Sequence, residues 1–324
     1  MQASWHSRRV DVRVYASIGI AAVAMVCALP GLAQAPAGIP GVLAAGVEPE
    51  VVREDFVFTE GPVGTAEGGL FFSDIQVNNR AGRTYYLDPA GKITIAREPT
   101  NGTNGLALTK DGELLFVETG AKRITRRNRD GTIVALTERY AGAPLVGPND
   151  LIADAKGGIY ITDPGGRPIV PGRPNYVSYL PPGAKTAIAV DDKVARPNGL
   201  VLTQNGRTLI VDDTTGNTVF AYDVQSDGTL KNRRAFTQLV DIPAGQESGA
   251  DGMAIDRDDR VYITTVVGVQ VFDAAGKYLG RIKTARKSAN AAFAGPDKRT
   301  LYITAREGLC RIKLLAQGPD RLGK

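Results

Sequence analysis

One pattern recurs six times along this chain, and it limits the fold more than any bulk property does. Each copy runs from an Asn, Asp or Glu through an apolar stretch, a Gly/Asp turn and a second apolar stretch to a polar residue. The copies start at Glu60, Asn104, Asn149, Asn198, Asp251 and Asn290 and end 14 residues on, at Asp74, Glu118, Asp163, Asp212, Thr265 and Thr304. Successive starts lie 44, 45, 49, 53 and 39 residues apart. Asp-Gly, Asn-Gly and Gly-Gly turns between β-branched and aromatic residues match the twist of paired strands, so each copy reads as a β-hairpin. Further strands follow in most units, such as 83–87 with 92–95 and 218–222 with 235–239. Four strands in about 45 residues is the period of a propeller blade. The chain is therefore expected to be all-β, a six-bladed β-propeller with four-stranded blades. The last unit shows only three strands, 291–295, 300–304 and 309–314. Residues 51–58 are expected to supply the fourth, an N-terminal strand that closes the last blade and removes an exposed edge.

The residues before the repeat have another character. Arg8, Arg9 and Arg13 precede an apolar run over 15–29, then Pro30-Gly31 and small residues up to Ala33. A basic start, apolar middle and small-residue end is the layout of an export signal. The run is shorter than the ~18 apolar residues of a membrane helix, and nothing later approaches that length. The expected domains are an export signal over 1–33, a linker over 34–49, the propeller over 50–315 and a flexible tail over 316–324. The expected location is the bacterial periplasm, with no membrane span after signal removal, and the expected state is a monomer.

Cleavage at Ala33 removes the only histidine, His6, the only tryptophan, Trp5, and one of two cysteines, Cys27. The full chain carries +5; without Arg8, Arg9, Arg13 and Asp11 it carries +3. No basic run or aromatic-basic interleaving points to nucleic acid. Cys310 alone can form neither an intrachain disulfide nor a thiolate cluster, and its apolar strand context reads as a buried inert thiol. Without histidine, Ser-His-Asp and Cys-His mechanisms are excluded, as are imidazole metal sites. Any metal must be held by oxygen, which favours calcium, magnesium or manganese.

In a propeller blade the first strand lies innermost, so the residue just before it sits at the mouth of the central channel. Glu60, Asn104, Asn149, Asn198, Asp251 and Asn290 should face one another there, and Asp74, Glu118, Asp163 and Asp212 should return to the same face further from the axis. Turn propensity alone accounts for Asn before Gly, as at Asn104, and favours a plain structural role for Asn290. It does not account for Glu60 before Gly-Pro. The two carboxylates among these residues carry −2, which a divalent cation would cancel.

Glu60-Gly-Pro, Gly147-Pro-Asn-Asp150, Arg196-Pro-Asn-Gly199, Asp251-Gly-Met-Ala and Gly268-Val-Gln-Val-Phe-Asp273 together resemble the gluconolactonase, senescence-marker-protein and luciferin-regenerating family, over about residues 54–312. The resemblance implies a six-bladed propeller, one divalent cation, usually calcium, and hydrolysis of lactones. It implies metal ligation by Glu60, Asn198 and Asp251, with Asn149 near metal and substrate, and Asp251 as general base; Asp212 or Asp163 stand as alternative bases. A small-molecule lactone or ester is the expected partner, with Asn104 and Asn149 among its contacts. A Pro/Gly-rich stretch over 164–174 brings Arg167 and Arg173, candidates for an anionic substrate group. Gly147 stands where animal-type members carry an arginine that grips sugar hydroxyls, so simple or aromatic lactones are expected to compete with aldonolactones. Two further readings keep the same ring: hydrolysis of aryl esters or organophosphates, and a non-catalytic exported calcium-binding propeller.

Overall fold

The computed structural model describes Met1 and residues 37–75, 82–166, 175–321 and 324. The export-signal expectation, with His6, Trp5 and Cys27, lies outside the described residues, as do Arg167 and Arg173. The chain divides into Met1–Ala35 and Pro36–Lys324, and everything below concerns the second unit.

Among the described residues every regular element is a strand. Six antiparallel sheets of four strands follow one another. The innermost strands are Thr59–Gly64, Thr103–Leu108, Leu151–Ala153, Pro197–Leu202, Met253–Ile255 and Asn290–Ala294. We number the blades one to six in that order. Inner strands are almost wholly buried, whereas outer strands such as Ile93–Arg97 and Leu230–Gln238 are largely exposed. This gradient explains the composition of each unit: apolar and β-branched in the first two strands, polar in the fourth. Aromatic and aliphatic side chains fill the wedge between neighbouring blades. Phe72 and Tyr85 of the first blade, for instance, form one cluster with Ala292, Tyr302 and Leu309 of the sixth and with Phe56 of the segment that joins the two.

The sixth blade closes as expected. Glu50–Arg53 pairs antiparallel with Gly308–Lys313, with Val51 opposite Cys310. The closing strand is shorter than the expected 51–58. Beyond it the chain bends inward, and Phe56 N–H donates to the Glu307 carbonyl (3.2 Å) while Thr59 N–H donates to that of Arg306 (2.7 Å).

Two flanking segments differ from expectation. In the stretch read as linker, Ile39, Val42 and Leu43 are buried against Tyr262, Val271 and Ile282, because three large apolar residues within five positions gain more from burial than from solvent. In the stretch read as a flexible tail, Ala316 is buried, Arg257 N–H donates to the Gln317 carbonyl (2.9 Å) and Gly318 N–H to that of Lys298 (2.7 Å).

Candidate active site

Neighbouring blades meet at the start of their inner strands, and glycine makes the approach possible. A Cβ on Gly61 would lie 2.2 Å from the Asn104 carbonyl oxygen, and one on Gly252 would lie 1.8 Å from the Asn290 side chain. Gly61 also has φ of +47°, a region unfavourable to other residues. The glycine after a ring residue thus serves blade contact rather than turning the chain.

The structure brings several of the expected site residues together at the channel. Glu60, 3 % exposed, accepts from Gly61 N–H (2.9 Å) and from the Asn290 amide (3.3 Å). The Asn198 amide donates to Asp251 Oδ1 (2.9 Å) and to Thr214 Oγ1 (3.1 Å). Asn104 is buried, and its Oδ1 has no hydrogen-bond partner among the described residues. Asn149 is half-buried, its N–H donating to the Thr162 carbonyl (2.9 Å) and its carbonyl accepting from Gly105 N–H (3.0 Å). Asn290, read from sequence as a structural residue, is therefore a direct neighbour of Glu60; its place in the repeat was the available signal.

Burial governs the charges. Desolvation pushes the Glu60 carboxyl well above its ordinary value, and the nearby charges of Asp251 and Asp150 push it further, against the Gly61 and Asn290 hydrogen bonds. Desolvation pushes Asp251 up to about 6, with Lys287, Asn198 and Arg306 pulling it back and Asp150 adding to the rise. Asp150 was not read from sequence as a site residue. Its neighbour Asn149 carried that expectation, yet Asp150 is 1 % exposed and acts on three channel carboxylates.

The second-strand carboxylates correct the sequence reading at one point. Asp74 accepts from Val57 and Phe58 N–H (2.9 and 2.8 Å), and Asp163 from Val146, Gly147 and Gly165 N–H (2.8, 2.9 and 3.0 Å); both hold the loop entering their blade. In blade four this job falls to Asp213, which accepts from Arg196 and Thr215 N–H (both 3.1 Å), and not to Asp212. The hairpin turn is the reason. It closes with Thr65, Thr109, Asp154 and Asp256 N–H donating four residues ahead in blades one, two, three and five, but with Thr203 N–H donating five residues ahead, to Thr208, in blade four. One extra turn residue shifts the second strand by one, and alternate residues point to opposite faces. Asp212 thus takes the place of Ser73 and Thr162, whose hydroxyls donate to the Asn104 and Asn198 carbonyls (2.8 and 2.7 Å). A carboxylate cannot make that bond. Asp212 Oδ1 accepts from Gly199 N–H (3.0 Å), Oδ2 has no partner among the described residues, and desolvation with the Asp251 and Asp150 charges pushes its carboxyl well up.

Gly147 also has a packing reason. A Cβ there would come within 2.6 Å of the Gly165 carbonyl oxygen, so the loop after the second strand of blade three fills the space of any side chain.

No three carboxylate, histidine or cysteine side chains among the described residues cluster closely enough to hold a metal by themselves. Amide or backbone carbonyl oxygens and water have to complete any site. The donor set here fits that demand: Asn198 spends its N–H on Asp251 and Thr214, so its oxygen is the atom that would ligate, and among the described residues Asn104 Oδ1 and Asp212 Oδ2 are buried acceptors without donors. All-oxygen chemistry with crowded, desolvated carboxylates fits a hard divalent cation.

Comparison with known proteins follows the same line. The family described as SMP-30/Gluconolactonase/LRE-like region matches residues 58–307. A gluconolactonase of Zymomonas mobilis is 26% identical, covering 95% of this chain and 97% of that protein. A diisopropyl-fluorophosphatase of Loligo vulgaris is 26% identical, covering 79% and 88%. The solved structure of a gluconolactonase from Xanthomonas campestris superposes with a TM-score of 0.71 at 30% identity, covering 84% of this chain and 89% of that one. From its six repeats, its channel mouth of carboxylates and amides, and these matches, the chain belongs to the SMP-30/Gluconolactonase/LRE-like family.

Proposed function

We propose that this protein is a divalent-cation-dependent lactonase, with Glu60, Asn149, Asn198 and Asp251 holding the ion. The observation that carries the reading is the pair of carboxylates from blades one and five, Glu60 buried and Asp251 half-buried, whose side-chain hydrogen-bond partners are amides rather than cationic groups. Calcium is the favoured ion, because six to eight oxygens suit it and four side chains leave room for water and substrate. Bound there, the ion supplies Lewis acidity to a lactone carbonyl. Asp251 is the base that takes the proton of the attacking water. It is half-buried, so one part of it meets the mouth, and Asn198 holds its orientation through Oδ1. Asp212 is fully buried and Asp163 is committed to three backbone N–H groups, so neither is placed to meet water at the mouth. Asn104 Oδ1, buried and unpaired, is an acceptor for a substrate hydroxyl or a bound water.

The diisopropyl-fluorophosphatase relative favours a second reading, hydrolysis of organophosphates or aryl esters by the same ring. Acid release from gluconolactone, dihydrocoumarin, an aryl ester and a fluorophosphate, with and without chelator, separates the two. Chelator-sensitive turnover led by the lactones is the expected result. Turnover of none of them, with calcium still bound, would leave a non-catalytic calcium-binding propeller. Because Gly147 leaves no room for an arginine, dihydrocoumarin is expected to compete well with gluconolactone. We also propose export to the periplasm as a monomer; the N-terminal sequence of the secreted protein, expected to begin at Gln34, tests the signal.

A further inference from the structure

The channel has a second end, at the hairpin turns, and described residues of the tail are bonded there. Leu314 N–H donates to the Arg299 carbonyl (2.8 Å), Gly318 N–H to that of Lys298 (2.7 Å), and the Arg321 guanidinium donates to that of Leu202. These bonds tie the tail to the turn ends of blades four and six. Lys324 lines a cavity of about 20 Å³ together with Gly64 and Thr65, at the turn of blade one, and Phe293 of blade six. From there its ammonium donates to Asp150 Oδ2, 174 residues away in sequence. The lysine and aspartate side chains are 0 % and 1 % exposed, and the other oxygen of Asp150 accepts from Leu151 N–H (2.9 Å).

A carboxylate at that depth needs a partner, because an unpaired buried charge is strongly destabilising. The neighbouring carboxylates cannot help. Glu60, Asp212 and Asp251 carry the same sign and lie within its field. Among the described residues, the side chain that donates to the Asp150 carboxylate is Lys324.

We propose that Lys324 is a resident cation of the channel: its ammonium neutralises Asp150 and sets the charge that the divalent-cation site sees from below. This rests on the metal reading above. With all four ionised the channel carboxylates would carry −4; a divalent ion offsets two of these charges and Lys324 a third, and burial opposes ionisation of the remainder. The ammonium repels the bound ion, so it lowers divalent affinity while stabilising the metal-free propeller. Lys324 thereby lets one chain remain folded both with and without its ion.

Two measurements on the full chain test this. The first is labelling of the folded protein with an amine-reactive reagent, read by mass spectrometry. Lys324 is expected to react at least about tenfold more slowly than the exposed Lys110, since buried groups react only through opening; equal rates would overturn the proposal. The second is calcium titration of the metal-free protein against a chelating dye. Lys324→Met is expected to bind calcium about tenfold to a hundredfold more tightly, Asp150→Asn more weakly, and the double variant close to wild type, as for two opposite charges acting at one point. Lys324→Met should also melt lower than wild type without calcium, and the double variant should recover that loss. Identical calcium affinity in wild type and Lys324→Met would sink the charge-setting role. A wild-type chain that protects Lys324 but binds no calcium would overturn the metal reading, and the charge-setting role with it, leaving only the ion pair.

Discussion

Two sets of carboxylates lie on the same face of this propeller, and they differ in what surrounds them. Asp74, Asp163 and Asp213 each accept two or more backbone N–H groups from the loop that enters or leaves their blade. Glu118 takes the equivalent place in blade two with side-chain donors: Arg97 (2.6 Å), Arg123 (2.7 Å), Asn101 and Thr125 (both 3.0 Å). The channel set of Glu60, Asp150, Asp212 and Asp251 is poorer in donors and richer in mutual repulsion. The first set completes its hydrogen bonds within the protein and so contributes to stability. The second keeps unmet acceptor capacity at a cost to stability, which is what a site for a cation and a polar substrate requires. Asp212 and Asp213 show the contrast between adjacent residues of one strand.

Exchange of a member of each set should separate rate from stability. The largest effect is expected for Asp251→Asn, with kcat for a responsive lactone falling about 10²- to 10⁴-fold, the range for loss of a general base, at nearly unchanged melting temperature. Asp163→Asn should do the reverse, lowering the melting temperature while keeping kcat within a few-fold. If both variants lose rate alike, the two sets are not functionally distinct.

Next in size is Glu118→Gln, which leaves Arg97 and Arg123 without their shared carboxylate. Its urea midpoint should correspond to a loss of about 2–3 kcal/mol, less than for a fully buried pair because Arg123 is 32% exposed. Desolvation raises the Glu118 carboxyl, but hydrogen bonds from Arg97, Arg123 and Asn101 outweigh it and hold the group below its ordinary 4.5. A depressed folded-state value means that the unfolded chain takes up the proton first. The stabilisation is therefore complete above about pH 4.5 and drains away as pH falls through the lower folded value. Acid titration of the unfolding free energy should show the wild-type advantage over Glu118→Gln shrinking in that window. An advantage that stays constant down to pH 2 would show that charge pairing is not its source.

Smaller again is Asp213→Ala, which strands the Arg196 and Thr215 N–H groups at a cost of about 2 kcal/mol by thermal melting. The smallest effect has the opposite sign. Asp212→Asn replaces a desolvated, half-satisfied carboxylate with an amide whose N–H₂ is able to donate where Ser73 and Thr162 place their hydroxyls. The metal-free protein should gain about 1 kcal/mol. A loss of similar size would mean that Oδ2 of Asp212 has a partner the contrast with Asp213 overlooks.

The repeat, the blade count, the closing N-terminal strand and the ring of blade-start residues were all legible from residue order, because turn chemistry and two-residue alternation are local properties that a sequence displays directly. Glu60 stood out because turn chemistry does not account for a glutamate before Gly-Pro, and the family resemblance implied Glu60, Asn198 and Asp251 as ligands. Asp212 was misaligned with Asp74 and Asp163 because one additional residue in the turn after Thr203 reverses which face a strand residue presents, and the equal spacing of 14 residues concealed it. Asp150 and Lys324 could not be paired in advance at all. They are 174 residues apart, and only closure of the ring brings a tail that looks dispensable to the far end of the channel. The sequence by itself determined the architecture and the chemical type of the mouth, through patterns that act over a few residues. Which carboxylates are satisfied, which are left facing the channel, and which cation compensates them depend on long-range contacts, and those the tertiary structure alone decided.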